Sequence, residues 1–191
     1  MSYRTADGLP LVEGLDVIRR RPAMYLGGDK VGSARERLLE IVVEGVAHET
    51  PLPQEVRVLL WCEDTVTVAY GGAPLPIKPI CIPADAVLHP ALYRLFMCIT
   101  AGEAPSDRLS FGAISNALSE RLVVSTVHDG SRYRAVFSKG MLVSLLASRP
   151  CSRPLGVTWL TFRPDATIVP GEPLTPRDVE GVAERVLHPP R

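Results

Sequence analysis

The stretch SARERLLEIVVEGVAHETPLPQEVRVLLWCEDTVTVAY, residues 33–70, places an apolar helix directly before a β-hairpin. Ser33 is a preferred N-cap residue, and Glu36 stands three positions later, as in a capping box. The apolar residues that follow are spaced to give a helix one broad buried face. Residues 55–61 and 65–70 are apolar and β-branched, which predicts two strands joined by a turn. This stretch therefore predicts a helix packed against a hairpin.

The same two patterns extend along the rest of the chain. Asp129 and Gly130 separate two apolar runs and form a strong two-residue hairpin turn. Because the helices precede a run of strands, the order predicts an α+β sandwich with a mixed β-sheet and helices on one face. Helices are predicted over residues 15–20 (ended by Pro22), 33–48, 90–100 and 110–121, and strands over residues 55–61, 65–70, 122–128, 132–138, 141–146 and 157–162.

The amino-acid composition argues against several classes of function. The chain has 191 residues, 46% of them hydrophobic, which is enough for one core. Its 21 basic and 21 acidic residues balance, so strong nucleic-acid binding is not expected. The densest basic run, Arg19 to Arg21, is typical of a solvated helix end. The cysteines do not form a C-x-x-C pair of the kind that binds zinc. No apolar run approaches the roughly 20 residues of a membrane span. We expect a cytoplasmic protein with reduced thiols.

The domain boundaries follow from the proline content. We expect one domain over residues 1–168 and a proline-rich C-terminal arm over residues 169–191. Within that arm, Thr175 precedes Pro176, Arg177 and Asp178, an order that can cap and start a short helix.

Four sequence blocks carry a family resemblance. Residues 13–27, EGLDVIRRRPAMYLG, resemble the opening of the gyrase B and topoisomerase IV ATPase domains, whose pattern is close to E-G-L-x-x-V-R-x-R-P-x-M-Y-I-G. Residues 116–122, the hairpin around residues 129–134, and residues 161–165 supply three further blocks in the family's order. The resemblance implies the GHKL fold, a layered sheet and helices with ATP bound between them. It covers only the nucleotide domain, so the chain alone is not expected to cut or pass DNA.

The helix over residues 33–48 holds the residues that the resemblance matches to catalysis. Glu40 matches the family's general base, and Glu44 falls where the family has the asparagine that holds magnesium. A carboxylate can ligate magnesium, but its charge beside three phosphates opposes nucleotide binding. Glu40 and Glu44 lie one turn apart, where like charges repel. Either both face solvent, or the repulsion is compensated inside the protein.

Residues 70–76, YGGAPLP, stand where the family has the adenine-binding loop D-N-G-x-G-x-P. The resemblance places Tyr70 at the aspartate that accepts the adenine amino proton, and Pro74 at the second motif glycine. Gly72 and Pro76 keep their motif positions. Tyrosine in place of aspartate at position 70 removes a charge-assisted hydrogen bond to adenine worth about 1.5–3 kcal/mol. The phenol ring of Tyr70 could also fill the adenine slot.

Three further candidate positions come from the resemblance. Residues 101–112 stand where the family has a longer glycine-rich lid and phosphate loop, and only Gly112 remains near the helix start whose N–H groups hold phosphates. The threonine that helps fix adenine falls on Val157 or Thr158. Arg134 matches an arginine at the pocket mouth, although a solvent-exposed strand arginine explains it equally.

Two functional interpretations follow, and a pocket adapted to another small molecule is a third. In the first, the chain is a pseudoenzyme without a cofactor, retained to bind a protein partner such as a gyrase-type subunit or a second copy of itself. In the second, it binds ATP and magnesium in a rewired pocket, with Glu40 as general base, Glu40 and Glu44 sharing the magnesium, and Tyr70 stacked on the base.

Overall fold

The computed structural model describes residues 15–27, 33–49, 53–62, 64–82, 87–97, 111–152 and 157–189. Within these ranges the helices are α1 (Asp16–Arg20), α2 (Pro22–Leu26), α3 (Ala34–Ala47), α4 (Leu92–Met97), α5 (Phe111–Leu118) and α6 (Pro176–Leu187). The strands are β1 (Gln54–Leu60), β2 (Val66–Gly71), β3 (Pro79–Ile82), β4 (Val87–Pro90), β5 (Ser119–His128), β6 (Ser131–Ser138), β7 (Met141–Pro150) and β8 (Thr158–Pro164). None of the helices in the described ranges is both long and apolar enough to cross a bilayer.

Six strands form one sheet in the order β1-β2-β8-β5-β6-β7, and β3 pairs with β4 in a separate two-stranded sheet. The predicted β1–β2 and β5–β6 hairpins are confirmed. The turn between β5 and β6 has positive φ at both Asp129 and Gly130, as a type I′ turn requires. Strand β8 joins the two hairpins, and all five pairings in the sheet are antiparallel rather than mixed.

The core lies between the helices and one face of the sheet. Alternate residues on the central strands are buried there, among them Val68, Leu122, Leu160 and Phe162. Buried residues of α3 meet them, and Leu38 and Val42 have no exposed surface. The predicted α+β class, with helices layered on one face, is confirmed.

Helix α3 begins as predicted. Ser33 Oγ accepts a hydrogen bond from the Glu36 backbone N–H at 3.1 Å, and Glu36 Oε1 accepts one from the Ser33 N–H at 3.3 Å. Pro22 does more than end the first helix, because it occupies the first turn of α2. Proline suits that position because its N–H would have no helical partner there. The second short helix was not predicted.

The C-terminal segment packs into the same core. The Thr175–Asp178 capping box starts α6, and Val179 and Val182 on this helix are buried. Helix α6 packs against α3 and β1. In addition, Leu174 N–H donates to Asp64 Oδ1 at 2.8 Å, and Asp64 Oδ2 pairs with buried Arg35 of α3 at 2.6 Å. The described part of residues 169–191 is thus joined to the helix layer.

The arginine run does not behave as a uniformly solvated helix end. Arg20 is exposed, but Arg19 reaches across the fold to two partners. Its Nη1 donates to the Ala117 carbonyl oxygen at 2.6 Å, and its Nη2 pairs with Asp165 Oδ2 at 2.8 Å. Because Asp165 is only 2% exposed, the expectation of a solvated side chain was wrong for Arg19. This residue ties α1 to the ends of α5 and β8.

Candidate functional site: a filled cleft between α3 and the sheet

Tyr70 lies at the end of β2 and points into the core. It is 4% exposed, and its strand neighbour across the sheet is Thr158 of β8. Gly72 follows with φ of +147°, a conformation that side chains rarely tolerate. This turn folds the next residues back, so that Leu75 is buried at 5% exposure.

Two threonine hydroxyls hold this loop against the sheet. Thr126 Oγ1 of β5 accepts a hydrogen bond from the Leu75 backbone N–H at 3.1 Å. It also lies 3.0 Å from Thr158 Oγ1 of β8, and both threonines are buried. The structure therefore places Thr158, not Val157, beside Tyr70. Sequence reasoning missed Thr126, because only the β5–β8 register brings it next to Thr158.

A small cavity of about 120 Å³ remains beside the loop. Its lining includes Tyr70, Gly72, Pro76, Leu95 and Glu49, the last of which follows α3. The Tyr70 hydroxyl is buried, and no group among the described residues forms a hydrogen bond of regular geometry with it. The Thr158 hydroxyl lies near enough to act on its pKa but is already bonded to Thr126. A buried polar atom without a partner is uncommon in folded proteins. Glu49 was also missed from the sequence, because it lies outside the matched motifs.

Burial controls the ionisation of both titratable groups at the cavity. Desolvation raises the pKa of the Tyr70 phenol well above its usual range, and the negative charge of Glu49 acts in the same direction, while the nearby Thr158 hydroxyl opposes both. Desolvation also raises the pKa of the Glu49 carboxyl. Tyr70 therefore stays protonated and keeps its capacity to donate a hydrogen bond.

The other end of the cleft is closed by direct helix contact. Phe111, the first residue of α5, lies so close to Gly45 of α3 that a methyl group on Gly45 would overlap the phenyl ring. Gly112 is buried, and a side chain there would meet the Leu95 carbonyl oxygen and the Phe96 ring. The small residue thus serves the packing of α5 on α4.

The two carboxylates of α3 have different surroundings. Glu44 is exposed to solvent, whereas Glu40 is half-buried and forms an ion pair with Arg37 one turn earlier. That pair compensates the charge of Glu40, and the i,i+3 spacing was visible in the sequence. Within the described ranges, no three histidine, cysteine, aspartate or glutamate side chains converge as metal ligands do.

The predicted site residues therefore separate into two sets. Tyr70, Gly72 and Pro76 line the cavity, with Thr158 directly behind Tyr70. The cavity lining does not include Glu40, Glu44, Gly112 or Arg134. Arg134 lies on the opposite face of the sheet, where it lines a separate groove with Arg132 and Arg149.

This arrangement of a layered sheet, helices on one face and a cleft between them is that of a GHKL ATPase-type domain. The 43K ATPase domain of Thermus thermophilus gyrase B, in a crystal structure with an aminocoumarin, superposes on 90% of this chain and 46% of its own, with a TM-score of 0.72 and 26% identity. The topoisomerase IV ATP-binding domain of Francisella tularensis has the same fold, with a TM-score of 0.69 and 20% identity over 90% of this chain and 83% of its own.

Sequence similarity agrees with the fold. The gyrase B polypeptide of Thermus thermophilus is 29% identical over 179 residues, which is 88% of this chain and 27% of the relative. The corresponding topoisomerase IV polypeptide of Caulobacter vibrioides is 27% identical over 182 residues, 87% of this chain and 25% of the relative. No family model matches the chain. The chain is a homologue of the ATPase domains of gyrase B and topoisomerase IV, and it spans about a quarter of those two proteins.

Proposed function

We propose that this protein is a non-hydrolysing member of the gyrase B-like group that acts as a protein-binding module. The observation that carries the proposal is the filled cleft. Tyr70 and Leu75 are buried where the resemblance implies adenine, and Phe111 lies against Gly45 where it implies phosphate. The residues present do not fit a nucleoside triphosphate.

The size of the remaining cavity supports this proposal. Sites for ligands of nucleotide size generally occupy about 300–1,000 Å³, whereas the cavity beside Tyr70 measures about 120 Å³. Glu49 in its wall is acidic and would repel a polyphosphate when ionised. Entry of ATP would require Tyr70 and the 71–76 loop to move, which would break the Leu75–Thr126 hydrogen bond.

The arithmetic of lost contacts points the same way. If the exchanges at the adenine acceptor, the metal ligand and the phosphate loop each cost about 1.5–3 kcal/mol, together they weaken nucleotide binding by on the order of 10³ to 10⁶.

A thermal-shift titration tests the loss of nucleotide binding. We expect the Tm to stay constant up to millimolar ATP with magnesium, while the Thermus thermophilus gyrase B ATPase domain in the same assay shows a saturable rise. Phosphate release should be no faster for the wild type than for Glu40→Gln. A saturable rise in Tm, or release that falls in Glu40→Gln, would overturn the proposal.

One observation favours a rewired ligand site instead. The Tyr70 hydroxyl is buried and unpaired beside the small cavity, and a bound ligand could satisfy it. In that case Glu40 would act as the general base of an ATPase with Glu44 at the metal. ATP with magnesium would then raise the Tm saturably, and phosphate release would fall in Glu40→Gln.

The protein-binding half of the proposal needs its own measurement. Sedimentation velocity of the chain alone, and mixed with the gyrase subunits of its source organism, should reveal a defined complex or self-association at micromolar concentration. A chain that sediments as an unaltered monomer in every mixture would argue against these two partners.

A further inference from the structure

The face of the sheet that points away from the helices carries a basic groove. Its volume is about 650 Å³. Val123 and Thr161 lie on the central strands β5 and β8, and Arg132, Arg134 and Arg149 project from β6 and β7. All three arginines are exposed.

The three guanidinium groups are crowded together by strand pairing. Arg132 and Arg149 are direct partners across β6 and β7, and like charges in that position are destabilising. Arg134 lies two residues from Arg132 on the same strand face, about 7 Å along β6. No carboxylate in the described ranges pairs with any of the three. Such a cluster is complementary to an anionic partner.

The surroundings favour carboxylates on a polypeptide over a nucleic acid. The Arg132 guanidinium covers the Trp159 ring, with 5.2 Å from Cζ to the ring centroid, and also donates to Ser125 Oγ at 3.2 Å. The Trp159 ring beside the groove is therefore already covered by Arg132 and is not open for the base stacking that single-stranded nucleic acids use. The apolar Val123 and Val136 in the lining match aliphatic side chains.

We propose that this groove binds an acidic, extended segment of a partner protein, with Arg134 and Arg149 contacting its carboxylates. The proposal rests on the protein-binding half of the proposed function and is independent of whether the cleft on the other face admits ATP.

Fluorescence anisotropy with a labelled ten-residue peptide, in which pairs of aspartates alternate with pairs of valines, tests the proposal. An extended chain of this pattern presents both aspartate and valine on the face toward the groove. We expect saturable binding that weakens with salt and that falls by at least about tenfold in Arg134→Ala/Arg149→Ala. Arg57→Ala is the matched control, because Arg57 is an exposed strand arginine of β1 that already pairs with Glu55. It should bind the peptide like the wild type. All variants should stay folded, and the double variant should have a Tm no lower than the wild type, because it removes the repulsion between Arg132 and Arg149.

Besides a failure of the peptide to bind, three results would overturn the proposal. The first is a loss of peptide affinity in Arg57→Ala equal to that in the double variant. The second is tighter binding of a ten-nucleotide oligothymidylate than of the peptide. The third is a wild-type dimer, seen by sedimentation, that the double variant abolishes. The first indicates a nonspecific charge effect, the second a nucleic-acid surface, and the third a second copy as the occupant. If the peptide does not bind and ATP does not bind either, only the groove is refuted. If both the peptide and ATP bind, the groove proposal stands and only the proposed loss of nucleotide binding is refuted.

Discussion

Asp165 is the most constrained acidic residue in the described part of the fold. It is 2% exposed, and its carboxylate accepts hydrogen bonds from Arg19 Nη2 at 2.8 Å and from Thr167 Oγ1 at 2.6 Å. Lys139 Nζ, 4.0 Å from Asp165 Oδ2 and half-exposed, is the remaining cation that the structure describes near this carboxylate. Removing Arg19 therefore leaves the buried charge largely uncompensated, which costs about 3–5 kcal/mol. We therefore expect Arg19→Ala to lower the free energy of unfolding by about that amount in urea titrations. Arg20→Ala, which truncates its exposed neighbour, should change it by less than about 0.5 kcal/mol. Equal effects would contradict the assigned role of Arg19.

The same carboxylate gives the fold a defined acid sensitivity. Burial acts to raise the pKa of Asp165, but hydrogen bonds from Thr167 and Arg19 outweigh it and hold the pKa below its ordinary value of 3.8. A lowered folded-state pKa stabilises the protein above pH 3.8, and that contribution is lost as the pH falls through the folded value. Unfolding at pH 2–5 should show this loss in the wild type and a shallower dependence in Asp165→Asn.

Tyr70 allows a residue-scale test of the cavity. A buried hydroxyl without a partner costs about 1–3 kcal/mol, and Tyr70 Oη is such an atom among the described residues. Tyr70→Phe should therefore stabilise the protein, as measured by its denaturation midpoint. A marked destabilisation would indicate that the hydroxyl has a partner, and would favour the rewired ligand site.

At the scale of elements, the contact between α3 and α5 closes the cleft. Gly45→Ala would push a methyl group into the Phe111 ring, and overpacking of this kind costs about 1–3 kcal/mol. In the Phe111→Ala background the same substitution should instead stabilise α3 by about 0.5–1 kcal/mol, since alanine favours helix. A double-mutant cycle of Gly45→Ala and Phe111→Ala, measured by urea unfolding, gives the coupling free energy between the two positions.

Gly181 of α6 is the matched control for that cycle. A methyl group there meets only the flexible end of Arg185, at 3.4 Å. Gly181→Ala should therefore stabilise the protein by about 0.5–1 kcal/mol in either background. A Gly45→Ala effect that does not depend on Phe111 would show that the two helices are not in contact there.

At the scale of the whole molecule, the sheet separates two surfaces. The filled cleft lies on the helix side and the arginine groove on the other side. Binding at the groove should raise stability by about 2.7 kcal/mol at a peptide concentration of 100 Kd. We expect a thermal shift of the same size in Tyr70→Phe as in the wild type. A peptide-induced shift that changes with Tyr70 would mean that the two faces are coupled.

Local patterns in the sequence determined much of the fold. The Ser33–Glu36 box, the Asp129–Gly130 turn and the Thr175–Asp178 cap each act through neighbours a few residues apart, so their chemistry predicts helix and turn boundaries directly. The resemblance likewise brought Tyr70 together with either Val157 or Thr158, and the register of β2 against β8 selects Thr158.

Tertiary structure alone decided the remainder. Whether Arg19 is solvated or bound to Asp165, 146 residues away, depends on how α1 meets β8. Whether Arg134 faces the cleft or the outer groove depends on the register of β6 against β5, because a shift of one residue reverses the face of every side chain. The filling of the cleft by Tyr70 and Phe111 depends on the distances between packed elements, which no spacing along the chain encodes.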